Sequence, residues 1–189
     1  MVVLAQTEKI SWTALFNNDI KIFTELYNCY FPRVYNYVHY RVSNFQDAND
    51  LTSQIFEKLF SKFKYYQSER APFAAWLFSI ARNTITDYYR LQTRTCCTSL
   101  ELTQDLQNTG PGPDELVILT EMQNHLHTAL SSLTQRERDL ISLKFWSGLS
   151  NRDIATLTGI SESNTGVILF RAMKKLRKIF ESQGISSYD

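Results

Sequence analysis

Apolar side chains in this chain recur at intervals of three and four and almost never of two, which removes most folds from consideration. That spacing lays them along one stripe of a helix, whereas a half-buried strand needs strict alternation. The stretch "DIKIFTELYNCYFPRVYNYVHYRV" carries Ile22, Phe23, Leu26, Tyr30, Val34, Tyr37 and Val38 in this rhythm, with Pro32 expected to kink or break the helix. "DANDLTSQIFEKLFSKF" repeats it with Leu51, Ile55, Leu59 and Phe63, and "APFAAWLFSIARNTITDYYRLQ" with Phe73, Leu77, Ile80, Ala81 and Ile85. Three aromatic-rich stripes of this kind can close on one another as a small bundle. The expected class is all-α.

Composition matters next because it changes along the chain. After the third stripe, "TRTCCTSLELTQDLQNTGPGPDE" is polar, weakly periodic and ends in Gly-Pro-Gly-Pro, which supports neither helix nor strand. The expected architecture is therefore two small helical domains, residues 1–94 and 114–189, joined by a flexible linker over 95–113. Charge follows the same division. Up to Arg94 there are 11 Lys/Arg against 8 Asp/Glu; residues 95–135 hold 5 acidic residues and no Lys or Arg; from Arg136 onward the balance is 9 against 6. Two mildly basic blocks flank an acidic one, so the formal net charge of +1 hides a segregation. At 189 residues and 43% apolar content each block can build a core.

Several function classes drop out. No window approaches the roughly 18 apolar residues of a membrane span, and the opening "MVVLAQTEKISW" has no basic start followed by a long apolar run, so a cytoplasmic protein without membrane insertion is expected. Cys29, Cys96 and Cys97 are too few and too oddly placed for a disulfide framework or a four-thiolate zinc site. His125 and His127 form an isolated H-x-H, and no metal or other cofactor is expected. No nucleophilic triad or phosphate loop appears, which argues against an enzyme.

The C-terminal third is the most informative. In "LTQRERDLISLKFWSG" Thr134 precedes Glu137 by three, the reciprocal arrangement in which each side chain satisfies the other's free N–H, and Gly148 supplies a left-handed stop. Ser150 and Asp153 start a short helix that Gly159 ends, and Ser161 starts the next. Two short helices about a tight turn, with the small Ala155 allowing close approach, form the pattern of a helix-turn-helix. Stepping 100° per residue puts Thr165, Leu169, Ala172 and Leu176 inside. Ser163, Val167, Arg171, Lys174 and Lys178 then face outward, with Asn164 and Phe170 at the edges. Asn can grip adenine, Arg can reach guanine or phosphate, and Val can meet a thymine methyl, so this face suits a major groove.

These residues resemble a known family. "LTQRERDLISLKFWSGLSNRDIATLTGISESNTGVILFRAMKKLRK" is similar to region 4 of bacterial RNA polymerase sigma factors of the extracytoplasmic-function (ECF) group. "FTELYNCYFPRVYNYV", "DANDLTSQIFEKLF" and "FAAWLFSIARNTITDYYR" resemble region 2 of the same group in order and spacing. The resemblance implies a factor that binds core RNA polymerase and directs initiation by recognising −35 and −10 promoter DNA. It implies polymerase contacts at Asp50, Leu51, Gln54, Phe56 and Glu57, of which Asp50, Gln54 and Glu57 share an outward face while Leu51 and Ile55 turn inward. For the −10 element it implies Ser68 and Arg70 in a base-pocket loop reaching to Pro72, with Arg82, Asn83, Asp87, Tyr88 and Arg90 on the DNA face. For the −35 element it implies Ser161, Ser163, Asn164, Val167, Arg171 and Lys174. An anti-sigma factor is a further candidate partner, since exposed Val167, Ile168 and Phe170 would suit one as well as DNA.

One departure bears on affinity. Where relatives often carry two cations beside the groove, this chain has Gly166 and Ile168, and the glycine lowers helix propensity by about 1 kcal/mol relative to alanine. With fewer phosphate contacts, region 4 alone is expected to bind duplex weakly and to depend on polymerase tethering. The nearest rival reading is a stand-alone helix-turn-helix regulator, and a second is a helical adaptor that binds protein only.

Overall fold

The computed structural model describes residues 20–42, 44–96 and 125–183, and among these every regular element is helical. Helix α1 spans Ile20–His39, α2 Phe45–Lys62 and α3 Phe73–Cys96. Asn44 starts α2 by accepting the Gln46 N–H at 2.7 Å. Ala48, Leu51, Thr52, Ile55, Phe56 and Leu59 are the buried stripe of α2. They meet Leu26, Tyr30, Val34, Tyr37 and Val38 of α1 and Phe73, Leu77, Phe78, Ala81 and Ile85 of α3 in one core.

The expected kink or break at Pro32 is corrected in one respect: α1 runs through it as a single helix. An interior proline removes one backbone bond and strains the turn before it, at about 3 kcal/mol. The turns on both sides are held by tertiary packing, since Leu26, Tyr30, Val34, Tyr37 and Val38 are all buried. That burial outweighs the local preference.

In the second half, residues 125–131 form α4, followed by α5 at Gln135–Ser142, α6 at Asn151–Thr158 and α7 at Glu162–Ser182. The reciprocal caps are present at Thr134 with Glu137 and at Ser150 with Asp153. Gly148 and Gly159 end their segments at φ 67° and 73°, where a side chain would be strained. Between α5 and Gly148 the chain winds one π-type turn, Leu143–Ser147. Arg138 reaches back to the carbonyls of Leu130, Ser131 and Leu133 and so closes the end of α4.

The expected linker and the start of the helix expected from Asp114 lie outside the described residues, apart from the last turn of α3. The two helical halves are present, and α1 and α3 pack directly on α5, the π turn and α6. The cause lies in side chains that periodicity does not rank. Arg33, Tyr37, Tyr40 and Arg41 of the first half, with Arg82, find partners in the second.

Candidate nucleic-acid interface

Helix α7 buries one stripe and exposes the opposite face. Ser161 caps it by accepting the Asn164 N–H at 3.2 Å, and Thr165 Oγ1 donates to the Ser161 carbonyl at 3.0 Å. The buried stripe is Thr165, Leu169, Ala172 and Leu176, as the 100° stepping requires. It packs on α5 and α6 and turns Ser163, Asn164, Val167, Arg171 and Lys174 to the outside. Ser161 is exposed as well, but its hydroxyl oxygen is already engaged at the cap.

Cations on α7 divide into two sets. Lys175 binds Glu137 at 2.6 Å and Arg177 binds Glu181 at 3.0 Å. The Lys175 bond, ahead of the Thr134 bonds, holds the Glu137 carboxyl below its ordinary pKa even though burial opposes the shift. Among the described residues no ion pair engages Arg171, Lys174 or Lys178, so these three remain available to phosphate or base edges. Val167 is 43% exposed, Phe170 71% and Met173 44%, an apolar run that water does not explain. Met173 escapes a reading of the sequence alone, although its place three residues after Phe170 is a usable signal. Ile168, expected to be exposed, is half-buried against the core.

The residues expected at a −10 element fall into three groups. Ser68 and Arg70 are exposed in a turn closed by the Arg70 N–H to the Gln67 carbonyl at 3.0 Å. An aromatic cluster anchors this turn: Tyr66 is buried, bonds the Ala71 carbonyl at 3.2 Å, and lies edge-on to Phe73 with centroids 5.4 Å apart. Asn83, Asp87 and Arg90 form an exposed strip at helical spacing along α3, with Arg90 3.5 Å from Asp87. Arg82 and Tyr88 are oriented otherwise. The Tyr88 hydroxyl donates to Asp47 at 2.6 Å and accepts from Gln92, and burial followed by Asp47 pushes its pKa up. Arg82 is half-buried and directs Nε to Asp139 of α5 at 3.0 Å.

On α2, Asp50, Gln54 and Glu57 form an exposed ridge. Leu51 and Phe56, expected as partner contacts, are each 4% exposed and belong to the core. Both pack beneath the ridge and hold it in place. Phe60, one turn after Phe56 and 38% exposed beside the ridge, is an apolar side chain that the sequence reading does not include. Among the described residues no group of three His, Cys, Asp or Glu could hold a metal ion, and no helix is long and apolar enough to cross a membrane.

Comparison with known families fits this layout. The model for Sigma-70 region 2 matches residues 26–95 and that for Sigma-70, region 4 matches 123–176. SigX of Bacillus subtilis, an ECF RNA polymerase sigma factor, is 29% identical over 163 residues and 84% of each chain. The chain belongs to the sigma-70 family, in its ECF group. BldN of Streptomyces coelicolor, another ECF RNA polymerase sigma factor, is 28% identical over 158 residues, and this sigma-family chain spans 60% of BldN's length. The fold is that of RpoE of Bartonella quintana, solved with the anti-sigma factor NepR, at a TM-score of 0.69 and 22% identity over 85% of this chain and 98% of that one. CnrH, solved with the cytosolic domain of CnrY, gives a TM-score of 0.67 at 19% identity, covering 90% of this chain and 95% of that one.

Proposed function

We propose that this sigma-family chain is a promoter-specificity subunit that binds core RNA polymerase and directs initiation by recognising −35 and −10 DNA elements. The observation that carries the reading is the face of α7 on which Ser163, Asn164, Val167, Arg171 and Lys174 stand exposed, opposite a fully buried stripe. Hydroxyl, amide, methyl and guanidinium groups at helical spacing are what a major groove can use, and Arg171 and Lys174, which have no acidic partner among the described residues, supply phosphate affinity.

In this reading residues 1–94 form the region that meets polymerase through Asp50, Gln54 and Glu57, and the −10 element through Ser68, Arg70, Asn83, Asp87, Tyr88, Arg90 and Arg82. Residues 114–189 form the −35 reader and 95–113 the tether. Opening DNA needs aromatic surfaces beside cations to replace base stacking, and the turn at 67–70 sits on such an aromatic floor. The chain confers start-site choice on the polymerase and performs no chemistry of its own, which places its work in the cytoplasm. An anti-sigma factor is a candidate third partner, supported by the exposed Val167, Phe170 and Met173 and by the complexes in which RpoE and CnrH were solved.

The test is in vitro transcription with purified core polymerase over a promoter library. The reading expects new start sites on adding the chain, sharing a −35 and a −10 sequence. Unchanged start sites with folded chain present would refute it, and binding to duplex without any pull-down of core enzyme would favour the stand-alone regulator.

A further inference from the structure

The joint where Arg82 of α3 meets Asp139 of α5 carries more positive charge than its own carboxylate can balance. Arg41, Arg82 and Arg136 line a cleft of about 520 Å³ there, and Asp139 is the one acidic side chain lining it among the described residues. That carboxylate is already committed. Tyr37 donates its hydroxyl to Oδ1 at 2.9 Å, Arg82 donates Nε to Oδ2 at 3.0 Å, and an Arg41 terminal nitrogen lies 3.6 Å from Oδ1. Arg41 is 7% exposed and its Nε has no partner among the described residues, so a guanidinium sits buried with incomplete compensation.

Along α3 the cleft continues. Arg82, Thr86, Arg90 and Arg94 recur every fourth residue and so follow one another up the helix surface. The last three line an adjoining cleft of about 420 Å³ with Tyr89 and Gln135, and Thr86 and Gln135 belong to both clefts, which makes them one trough. Arg94 and Arg136 are exposed, and no ion pair engages either among the described residues; Arg90 has Asp87 at 3.5 Å.

The N-terminal end of α5 forms the opposite wall. A helix begins with N–H groups that lack intrahelical acceptors, and its dipole puts partial positive charge there. Here the Glu137 N–H goes to Thr134 Oγ1, whereas those of Gln135 and Arg136 have no acceptor among the described residues. The Glu137 carboxylate is taken by Lys175 and Thr134. Helix end and arginine stripe therefore face each other with like sign, and an anion between them relieves both.

We infer that this trough binds the oligophosphate of a small molecule, with the guanidiniums of Arg82, Arg90, Arg94 and Arg136 and the α5 N–H groups as donors. Its volume is that of a small-molecule site and too little for a duplex. Four guanidiniums suit a chain of phosphates better than a single carboxylate. A nucleoside triphosphate and inorganic tripolyphosphate share this chemistry; Tyr89 and Gln135 add a ring and an amide that a base can use. The inference goes beyond promoter recognition, although the ligand would compete with DNA for Arg82 and Arg90.

Isothermal titration calorimetry on the full-length chain tests it, with ATP and inorganic tripolyphosphate as probes and magnesium absent. Arg94→Gln and Arg136→Gln each remove one exposed guanidinium that is outside the core and outside the residues proposed to meet promoter DNA. Arg177→Gln removes an equal charge elsewhere, one that pairs with Glu181. Tripolyphosphate should bind at one site per chain, weakened about tenfold by either cleft variant, as for the loss of one charge-assisted hydrogen bond, and unchanged by Arg177→Gln. ATP binding tighter than tripolyphosphate identifies a nucleoside triphosphate, and equal affinities assign the site to the phosphate chain alone. No saturable binding of either probe overturns the site, as does equal weakening by Arg177→Gln when all variants keep wild-type helicity by circular dichroism. If a single-stranded oligonucleotide binds and loses affinity in the cleft variants while neither small molecule binds, the trough belongs to the DNA path and the inference falls. Because no polymerase or promoter enters these titrations, their failure leaves the sigma function standing, and failed run-off transcription leaves the site standing.

Discussion

Tyr40 of α1 lies flat against Trp146 of the π turn, with ring centroids 5.6 Å apart and planes within 6° of parallel. The stack joins the two halves beside the bonds from Arg33 to the Trp146 and Ser147 carbonyls. Tyr40 is buried, so Tyr40→Ala removes both its packing and the stack and should lower the unfolding free energy by about 3 kcal/mol. Calorimetry should show the halves melting together in wild type and as two separate transitions in the variant.

Gly166 and Gly159 make opposite predictions from the same substitution. A Cβ on Gly166 would meet nothing nearer than Asn151 Nδ2 at 4.0 Å, and the residue is inside α7. Gly166→Ala should therefore stabilise the protein, by about 0.5–1 kcal/mol in urea unfolding.

Space is equally open around Gly159, but its φ of +73° is where an L side chain is strained. Gly159→Ala should destabilise by about 1–2 kcal/mol in the same assay, although no contact is lost.

His39 of α1 and His127 of α4 face each other across the two halves with centroids 6.4 Å apart. Burial, then His127, lowers the His39 pKa from 6.5; burial, then Arg138, lowers that of His127. Tyr35 and Tyr40 are the other rings on His39, and neither they nor His127 brings a carboxylate to it. A depressed histidine pKa means that the unfolded or parted chain binds protons more readily than the closed one. Stability should be fully present above pH 6.5 and should fall as pH drops from there through the folded values. His39→Gln should flatten that slope in melting temperature against pH.

Arg171 and Lys174, which lack ion-pair partners among the described residues, should each act mainly through phosphate. Replacing either by Gln should weaken promoter binding by the polymerase-bound chain across sequences and reduce the salt slope by about 0.9. Asn164→Ala should instead relax preference at one base pair, by about 1–3 kcal/mol. Binding titrations over a salt series distinguish the two behaviours.

Much of this is legible in the residues. The buried side of α7 follows from 3.6-fold periodicity alone, and the caps at Thr134, Ser150 and Ser161 follow from residue type and spacing. Both signals are local, and so they survive without knowledge of the tertiary fold. Pro32 misleads because its penalty is local while the packing that absorbs it is not. The joint around Asp139 is unreadable for a related reason. Asp139 pairs with residues 57 and 102 positions away, and a charged residue on an amphipathic helix gives no sign of which of its sides will be covered.

The π turn at Leu143–Ser147 fixes a count as well as a shape. Wider winding admits an extra residue that an ordinary helix would not, and the chain beyond it is displaced in azimuth by about 100° per residue gained or lost. Deleting a single residue there would swing Trp146 away from Tyr40 and shift Gly148 off its left-handed corner, even with every remaining side chain unchanged. Homologous chains that keep this joint should therefore tolerate substitution in the segment yet preserve its length to the residue.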